Sequence, residues 1–332
     1  MKQPRKIRWL IAHQPQELFV RTARAFSEEL NKRCADELEI EILTYPEYQA
    51  KYHDIVGLEH MVQRPESLKD HDEKGMKAFW NALFDSEVEM SQIQVVRVGQ
   101  LCNDFLALDL PFLFEDHDHV SRVLEGPIGR DLCDRLGKNS GVTGLGFTYS
   151  GGYRVVGSHE PITKLDDLRN KKVAVQNPLS LGMTLETMGA SYEKSSPNLW
   201  HKYDPMGPSG TCDAVETTYL RFDDVNGKHI LKTDHSMFMT SIVVSNKFWD
   251  SLTEQQQQAF RDAALVASRK EREWSVQDGE AFERNAQANG VTITEISEQD
   301  TEALKRKSQM TYVKTKYFFT PDLIKRIRQT RH

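Results

Sequence analysis

EQQQQAFRDAALVASRKEREWSVQDGEAFERNAQA, running from Glu254 to Ala288, contains one glycine and no proline. Ala, Gln, Glu and Arg dominate it, most of them strong helix formers, and Gly279 is the lone breaker. The segment is predicted to be one very long helix, or two abutting ones, spanning about 50 Å at 1.5 Å per residue. Gly290 ends it, and Val291, Ile293 and Ile296 behind it suggest a strand. Upstream, Ile230–Thr233 and Met239–Val244 read as strands. Further back come Val142–Thr148, Tyr153–Gly157 and Lys172–Gln176, the first two separated by Ser150-Gly151-Gly152.

The N-terminal part follows the same alternation. Ile7–Ala12 is a short apolar strand, and Phe19, Ala23, Phe26 and Leu30 then recur at helical spacing. Leu38, Ile40 and Ile42 alternate with Glu39 and Glu41, the pattern of a half-buried strand. Lys51–Gly75 is polar and rich in His, Asp and Lys, and is expected to be a surface excursion. Met76–Phe84 reads as helix, and Val88, Met90 and Gln92 begin another strand. Phe105–Phe114 (FLALDLPFLF) is the most apolar run and is expected in the core. Strands alternating with helices throughout imply an α/β fold, and 332 residues suit two lobes of ordinary size.

Composition narrows the function. A formal charge of −6 with Lys and Arg scattered along the chain argues against a nucleic-acid binder. The four cysteines, Cys34, Cys102, Cys133 and Cys212, are too far apart to signal a zinc site or a disulfide framework. Only Trp9–Ala12 follow the basic N-terminus as an apolar run, against the roughly 7–15 residues of a secretory leader. Gly144-Leu-Gly146 lacks the third glycine of a dinucleotide loop. Ser150 is not in a nucleophile elbow, Cys212 has no histidine at diagnostic spacing, and His117-Asp-His119 has no further metal ligands in readable reach. With no catalytic constellation and no cofactor motif, binding is the expected activity.

Seven segments, in order, resemble the DctP-type solute-binding proteins of TRAP (tripartite ATP-independent periplasmic) transporters. They are Leu110-Pro-Phe-Leu-Phe114 with His119-Val and Gly126-Pro-Ile-Gly129; Gly152-Tyr-Arg154; Pro161-Ile with Asp166-Asp-Leu168; Lys172-Val-Ala-Val-Gln176; Gly210–Glu216; His235; and Val244–Trp249 with Leu252–Gln256. The resemblance implies a two-lobed periplasmic-binding-protein-like α/β fold with crossing strands and a long helix spanning both lobes. The expected lobes are 1–151 with 239–277, and 152–238 with 278–332, the ligand cleft lying between them. It also implies a monomer that closes around a small polar solute and delivers it to TRAP membrane permease subunits in the periplasm, the leader lying outside this sequence. A leaderless cytoplasmic sensor and an enzyme on a binding-protein fold are the alternatives.

One departure bears on the ligand. The family arginine that clamps the ligand carboxylate corresponds here to Ala174, which has no donor. The second family arginine is kept as Arg154, whose two readings are a ligand contact or a lobe-stabilising residue. By matched position, Gln176, Asn177, Glu216, Thr217, Gln94, His13 and Gln14 are the other candidate contacts; Trp200 either stacks on ligand or packs in the core. The solute is therefore expected not to be a simple monocarboxylate. If it is an acid, its carboxylate has moved toward Arg154, Arg97 or Arg221.

Overall fold

The computed structural model describes residues 3–34, 37–53, 65–195 and 204–330, with main chain alone for 65–72. Trp200 and residues 54–64 of the expected surface excursion lie outside the described residues. The strands, in chain order, are β1 (Arg5–Ile11), β2 (Leu38–Thr44), β3 (Met90–Gln94), β4 (Val142–Tyr153), β5 (Val155–Ser158), β6 (Lys172–Val175), β7 (Ser191–Lys194), β8 (Ala214–Thr217), β9 (His229–Lys232), β10 (Met237–Ser245) and β11 (Thr292–Glu295).

They form two sheets and the chain divides into two units. The first unit comprises Met1–Gln94, Leu124–Thr148 and Thr240–Trp274; the second comprises Val95–Val123, Tyr149–Met239 and Ser275–His332. The first sheet has the order β2-β1-β3-β10-β4, with β1 parallel to β2 and β3, and β10 antiparallel to β3. The second has the order β11-β9-β5-β8-β6-β7, in which β5 alone runs against its neighbours. β4, β10 and the long helix contribute residues to both units.

The division differs from the sequence expectation at residues 95–123, which belong with the second unit rather than the first. Hydrogen bonds explain it. Phe112 N–H donates to His235 O at 2.7 Å, Tyr312 Oη to Pro111 O at 2.7 Å, and Thr320 Oγ1 to Asp104 Oδ2 at 2.6 Å. Pairings more than a hundred residues apart leave no local signature. Two strands, β7 and β8, also went unread. Within the polar excursion, Pro65–Gly75 is helical and continues to Phe84; Pro65 stands at the first helical position, where its missing N–H costs no hydrogen bond.

The long helix is a single element, Glu254–Asn285. It stops short of Ala288, and Gly290 sits in the left-handed region at φ +73°. Its N-terminal half anchors the first unit's core. Phe260 is fully buried and meets Phe26 at 5.5 Å, Phe248 at 5.8 Å and Trp249 at 6.3 Å between ring centroids. Ala263, Ala264 and Ala267 keep that face flat, and Gly146 of β4 comes so close that an added Cβ would lie 2.6 Å from Ser268 Oγ. In β4 the expected separator Ser150-Gly151-Gly152 continues the strand. Gly151 takes φ +97°, and a side chain there would strike Thr218.

The second sheet is covered on both faces, as a mostly parallel sheet requires. Val156, Val173, Val175 and Leu231 join one apolar cluster, and Val155, Ala174, Val215 and Ile230 another, as the two-residue alternation of strands dictates. Truncating Phe260 tests the aromatic anchor. Phe260→Ala is expected to destabilise the chain by about 3–5 kcal/mol, read as a lower urea midpoint at unchanged slope.

Candidate functional site

The second unit concentrates charge in its interior. β6 delivers Gln176 and Asn177 just past its C-terminal end, and parallel β8 delivers Glu216 and Thr217 at its own. Arg154 joins β4 to β5, Asp109 closes the helical turn Asn103–Asp109, and His235 follows β9. All seven are buried; Arg154 and Glu216 are 1% exposed, Asp109 and His235 0%.

Arg154 is the hub. Its Nη2 lies 3.3 Å from Asp109 Oδ1 and 3.5 Å from Gln176 Oε1, and its Nη1 lies 3.5 Å from Glu216 Oε2. The guanidinium also packs over the Phe238 ring at 4.3 Å. Asn177 Nδ2 donates to Asp109 Oδ2 at 2.9 Å, while its Oδ1 accepts from Leu179 N–H at 3.1 Å. Glu216 Oε1 accepts from Ser180 Oγ at 2.6 Å and from His235 Nε2 at 2.9 Å. That bond fixes the proton on Nε2, because an ionised carboxylate has none to offer; Thr233 Oγ1 holds Nδ1 at 2.8 Å.

The two carboxyl groups respond differently to burial. Burial pushes Asp109 up, and Arg154 with the Asn177 bond only partly opposes it. Burial also pushes Glu216 up, but Arg154 together with His235 and Ser180 outweighs it and leaves Glu216 below its usual range. Glu216 is thus the ionised partner of Arg154, and the guanidinium charge is matched inside the protein. Within this cluster two atoms, Arg154 Nε and Glu216 Oε2, make no hydrogen bond to the described residues, Oε2 meeting only the Arg154 ion pair. What this cluster leaves to satisfy is one N–H donor and one carboxylate acceptor, with no surplus positive charge.

The structure brings together Arg154, Gln176, Asn177 and Glu216, with Thr217 buried next to Glu216 on β8. Sequence reasoning passed over Asp109, although a single charge inside FLALDLPFLF is the signature of a buried, paired group. It noted His235 only as a motif residue.

The other candidates sit elsewhere. His13 and Gln94 are buried in the first unit, His13 between Phe19 and Phe79 at 6.4 Å each, and Gln14 Oε1 accepts from Gln16 N–H at 2.9 Å. Next to Gln94 the same unit holds an unforeseen polar group, Gln92 Nε2 donating to Thr148 Oγ1 at 2.8 Å and Thr240 Oγ1 at 3.0 Å. Arg97 and Arg221 are both buried in the second unit, Arg221 paired with Asp224 at 2.5 Å. A cavity of about 790 Å³ in the second unit is lined by Phe112, Phe114, Tyr153, Thr233, Asp234 and Lys305 among others; Thr233 connects it to the cluster through His235, and none of the nine sequence candidates lines it.

Comparison with known proteins identifies the chain. The model of bacterial extracellular solute-binding protein family 7, DctP, matches residues 73–317. The chain belongs to the DctP family. A solute-binding protein of Chromohalobacter salexigens is 25% identical over 209 residues, 62% of this chain and 60% of its own length. The C4-dicarboxylate-binding periplasmic protein DctP of Rhodobacter capsulatus is 25% identical over 167 residues, half of each chain. The chain thus aligns with between half and two thirds of these two relatives' lengths.

Solved structures match the DctP chain along its length. A TRAP periplasmic solute-binding protein from Desulfovibrio desulfuricans with bound sn-glycerol-3-phosphate has a TM-score of 0.80 at 18% identity, covering 99% of this chain and 98% of its own. One from Xanthobacter autotrophicus Py2 with bound β-D-galacturonate has a TM-score of 0.77 at 22% identity, covering 98% and 99%. The fold is that of the TRAP solute-binding proteins, as the sequence resemblance implied. The family is one of binding proteins, not of enzymes.

Two outcomes test the site. Ala174 is 0% exposed, within the apolar cluster of Val155, Val215, Tyr219 and Phe222. Ala174→Arg is therefore expected to destabilise the fold by about 3 kcal/mol or more, through an unpaired guanidinium among apolar groups, measured by urea unfolding; unchanged stability would contradict this packing.

The second outcome concerns pH. Glu216 titrates lower in the fold than in the unfolded chain, so its stabilisation is complete above the unfolded value of about 4.3 and fades as pH falls further. Asp109, raised by burial, acts with the opposite sign. The stability difference between wild type and Glu216→Gln should hold constant above about pH 5 and narrow below about 4.3, read from unfolding midpoints across that range.

Proposed function

We propose that this chain is a solute-binding protein that captures a small polar organic solute without transforming it. It acts in the periplasm and hands the solute to the membrane permease subunits of a TRAP-type transporter. The family supports the activity class, and the relative from Rhodobacter capsulatus carries a periplasmic name.

The solute is hydroxyl-rich rather than a simple monocarboxylate. The single observation behind this is the internal charge balance of Arg154 against Glu216 and Asp109, coupled with an apolar Ala174 in place of a second cation. A carboxylate approaching this cluster meets no unmatched cation, and it has no proton to donate to Glu216. A hydroxyl both donates and accepts, the combination that Glu216 Oε2 and Arg154 Nε call for. β-D-Galacturonate and sn-glycerol-3-phosphate, bound by the two structural relatives, are both hydroxylated. In this reading Arg154, Gln176, Asn177, Glu216 and Thr217 are the second unit's ligand-side residues.

Thermal unfolding in the presence of pyruvate, lactate, succinate, hexuronates, hexonates, glycerol phosphate and neutral polyols tests the reading. A true ligand at a hundred times its Kd adds about 2.7 kcal/mol of stability, and a hydroxylated compound is expected to do so while pyruvate and lactate do not. Tight, saturable stabilisation by pyruvate would overturn the solute class. Turnover of a stabilising compound would overturn the assignment as a binding protein.

A further inference from the structure

The surface helix Glu298–Thr315 is built with its polarity reversed. Its inward stripe, Leu304, Ser308, Thr311 and Thr315, is buried, and three of these four residues carry hydroxyls. The stripe on the opposite side of the helix holds Arg306, Met310 and Val313, and Tyr317 follows in the turn just past its end. Met310 is 44% exposed, Val313 63% and Tyr317 84%, and the adjoining Phe318 is 52% exposed. An ordinary surface helix turns its large apolar residues inward. Single exposed apolar residues need no explanation, but four of the seven large ones exposed among the described residues gather here.

Charge gathers at the same end of the chain. Residues 303–332 hold nine Lys and Arg and one acidic residue, Asp322, in a chain whose formal charge is −6. Arg306, Lys314, Lys316 and Lys325 are exposed. Lys316 Nζ lies 4.5 Å from the centre of the Tyr317 ring, and Lys314 reaches only the exposed Glu186, at 3.3 Å. The net negative charge is carried by the remainder of the chain.

We propose that this face docks on a bilayer rich in anionic phospholipid, with Met310, Val313, Tyr317 and Phe318 entering the headgroup layer and the surrounding Lys and Arg held by lipid phosphates. Aromatic side chains with a polar tip suit that layer, and basic residues around an apolar stripe are the pattern of a helix lying in it. Such docking would confine the search for a membrane partner to two dimensions, independently of which solute is carried.

The test is flotation of the full chain with vesicles of equal parts phosphatidylglycerol and phosphatidylethanolamine, against pure phosphatidylcholine, at about 0.1 M salt, where the Debye length is about 10 Å. Binding to the anionic vesicles alone is expected, weakened at least tenfold at about 0.5 M salt. Lys316→Gln with Lys325→Gln should weaken it about fivefold per residue. Tyr317→Ser with Phe318→Ser should weaken it about tenfold or more, with circular dichroism and unfolding midpoint unchanged. Equal binding to both vesicle types, no binding to either, or anionic-vesicle binding that both variants retain would overturn the proposal. Association with an acidic protein surface but not with lipid would overturn it too.

Discussion

A guanidinium that is 1% exposed must find its counter-charge inside the protein, and Arg154 finds it in Glu216 and Asp109. These three residues come from the link between β4 and β5, the end of β8, and the turn before the apolar run at 110–114. Their pairing therefore ties together segments that secondary structure alone would leave independent. Removing one member leaves a buried charge uncompensated, typically a loss of about 3–5 kcal/mol. Asn177 and His235 extend the constraint to the end of β6 and the loop after β9. Most of the second unit's sheet is thus locked to one charged cluster.

This constraint links stability to ligand choice. An arginine whose charge is already matched acts toward a solute as an oriented hydrogen-bond donor more than as a cation. The substitution at Ala174 has the same consequence by another route. With its methyl inside an apolar cluster on the sheet, the position that the sequence resemblance matches to the family's arginine contributes packing rather than charge. On the proposed reading, both features shift recognition from ionic to polar contacts, for which geometry rather than net charge decides affinity.

The helix Glu298–Thr315 illustrates a different economy. Hydroxyls on its inward stripe find nearby acceptors, Ser308 Oγ at Lys305 O and Thr315 Oγ1 at Thr311 O, each within the preceding turn. Polar residues can therefore be buried there without orphaned donors, which leaves the large apolar side chains available on the outside. A packing stripe satisfied by its own backbone is what permits the outer face to differ from that of an ordinary surface helix.

The local pattern of the chain was sufficient for its α/β class, for nine segments read as strands at or near their observed positions, and for the long helix, because strand alternation and helix propensity are short-range properties. Family motifs also carried Arg154, Gln176 and Glu216, with Asn177 directly after Gln176, four residues that the fold gathers into one cluster. Tertiary structure alone decided what those residues do to one another. Asp109 lies 45 residues before Arg154 and 68 before Asn177 in the chain, so nothing local announces that it shares their charge balance. The same holds for residues 95–123, drawn into the second unit by hydrogen bonds to segments near 235, 312 and 320. β8 pairs with β5 and β6, which lie far earlier in the chain, and no local pattern announces those contacts. Side-chain type is written in the sequence, but which charges meet in the interior depends on long-range contacts that only the folded chain creates.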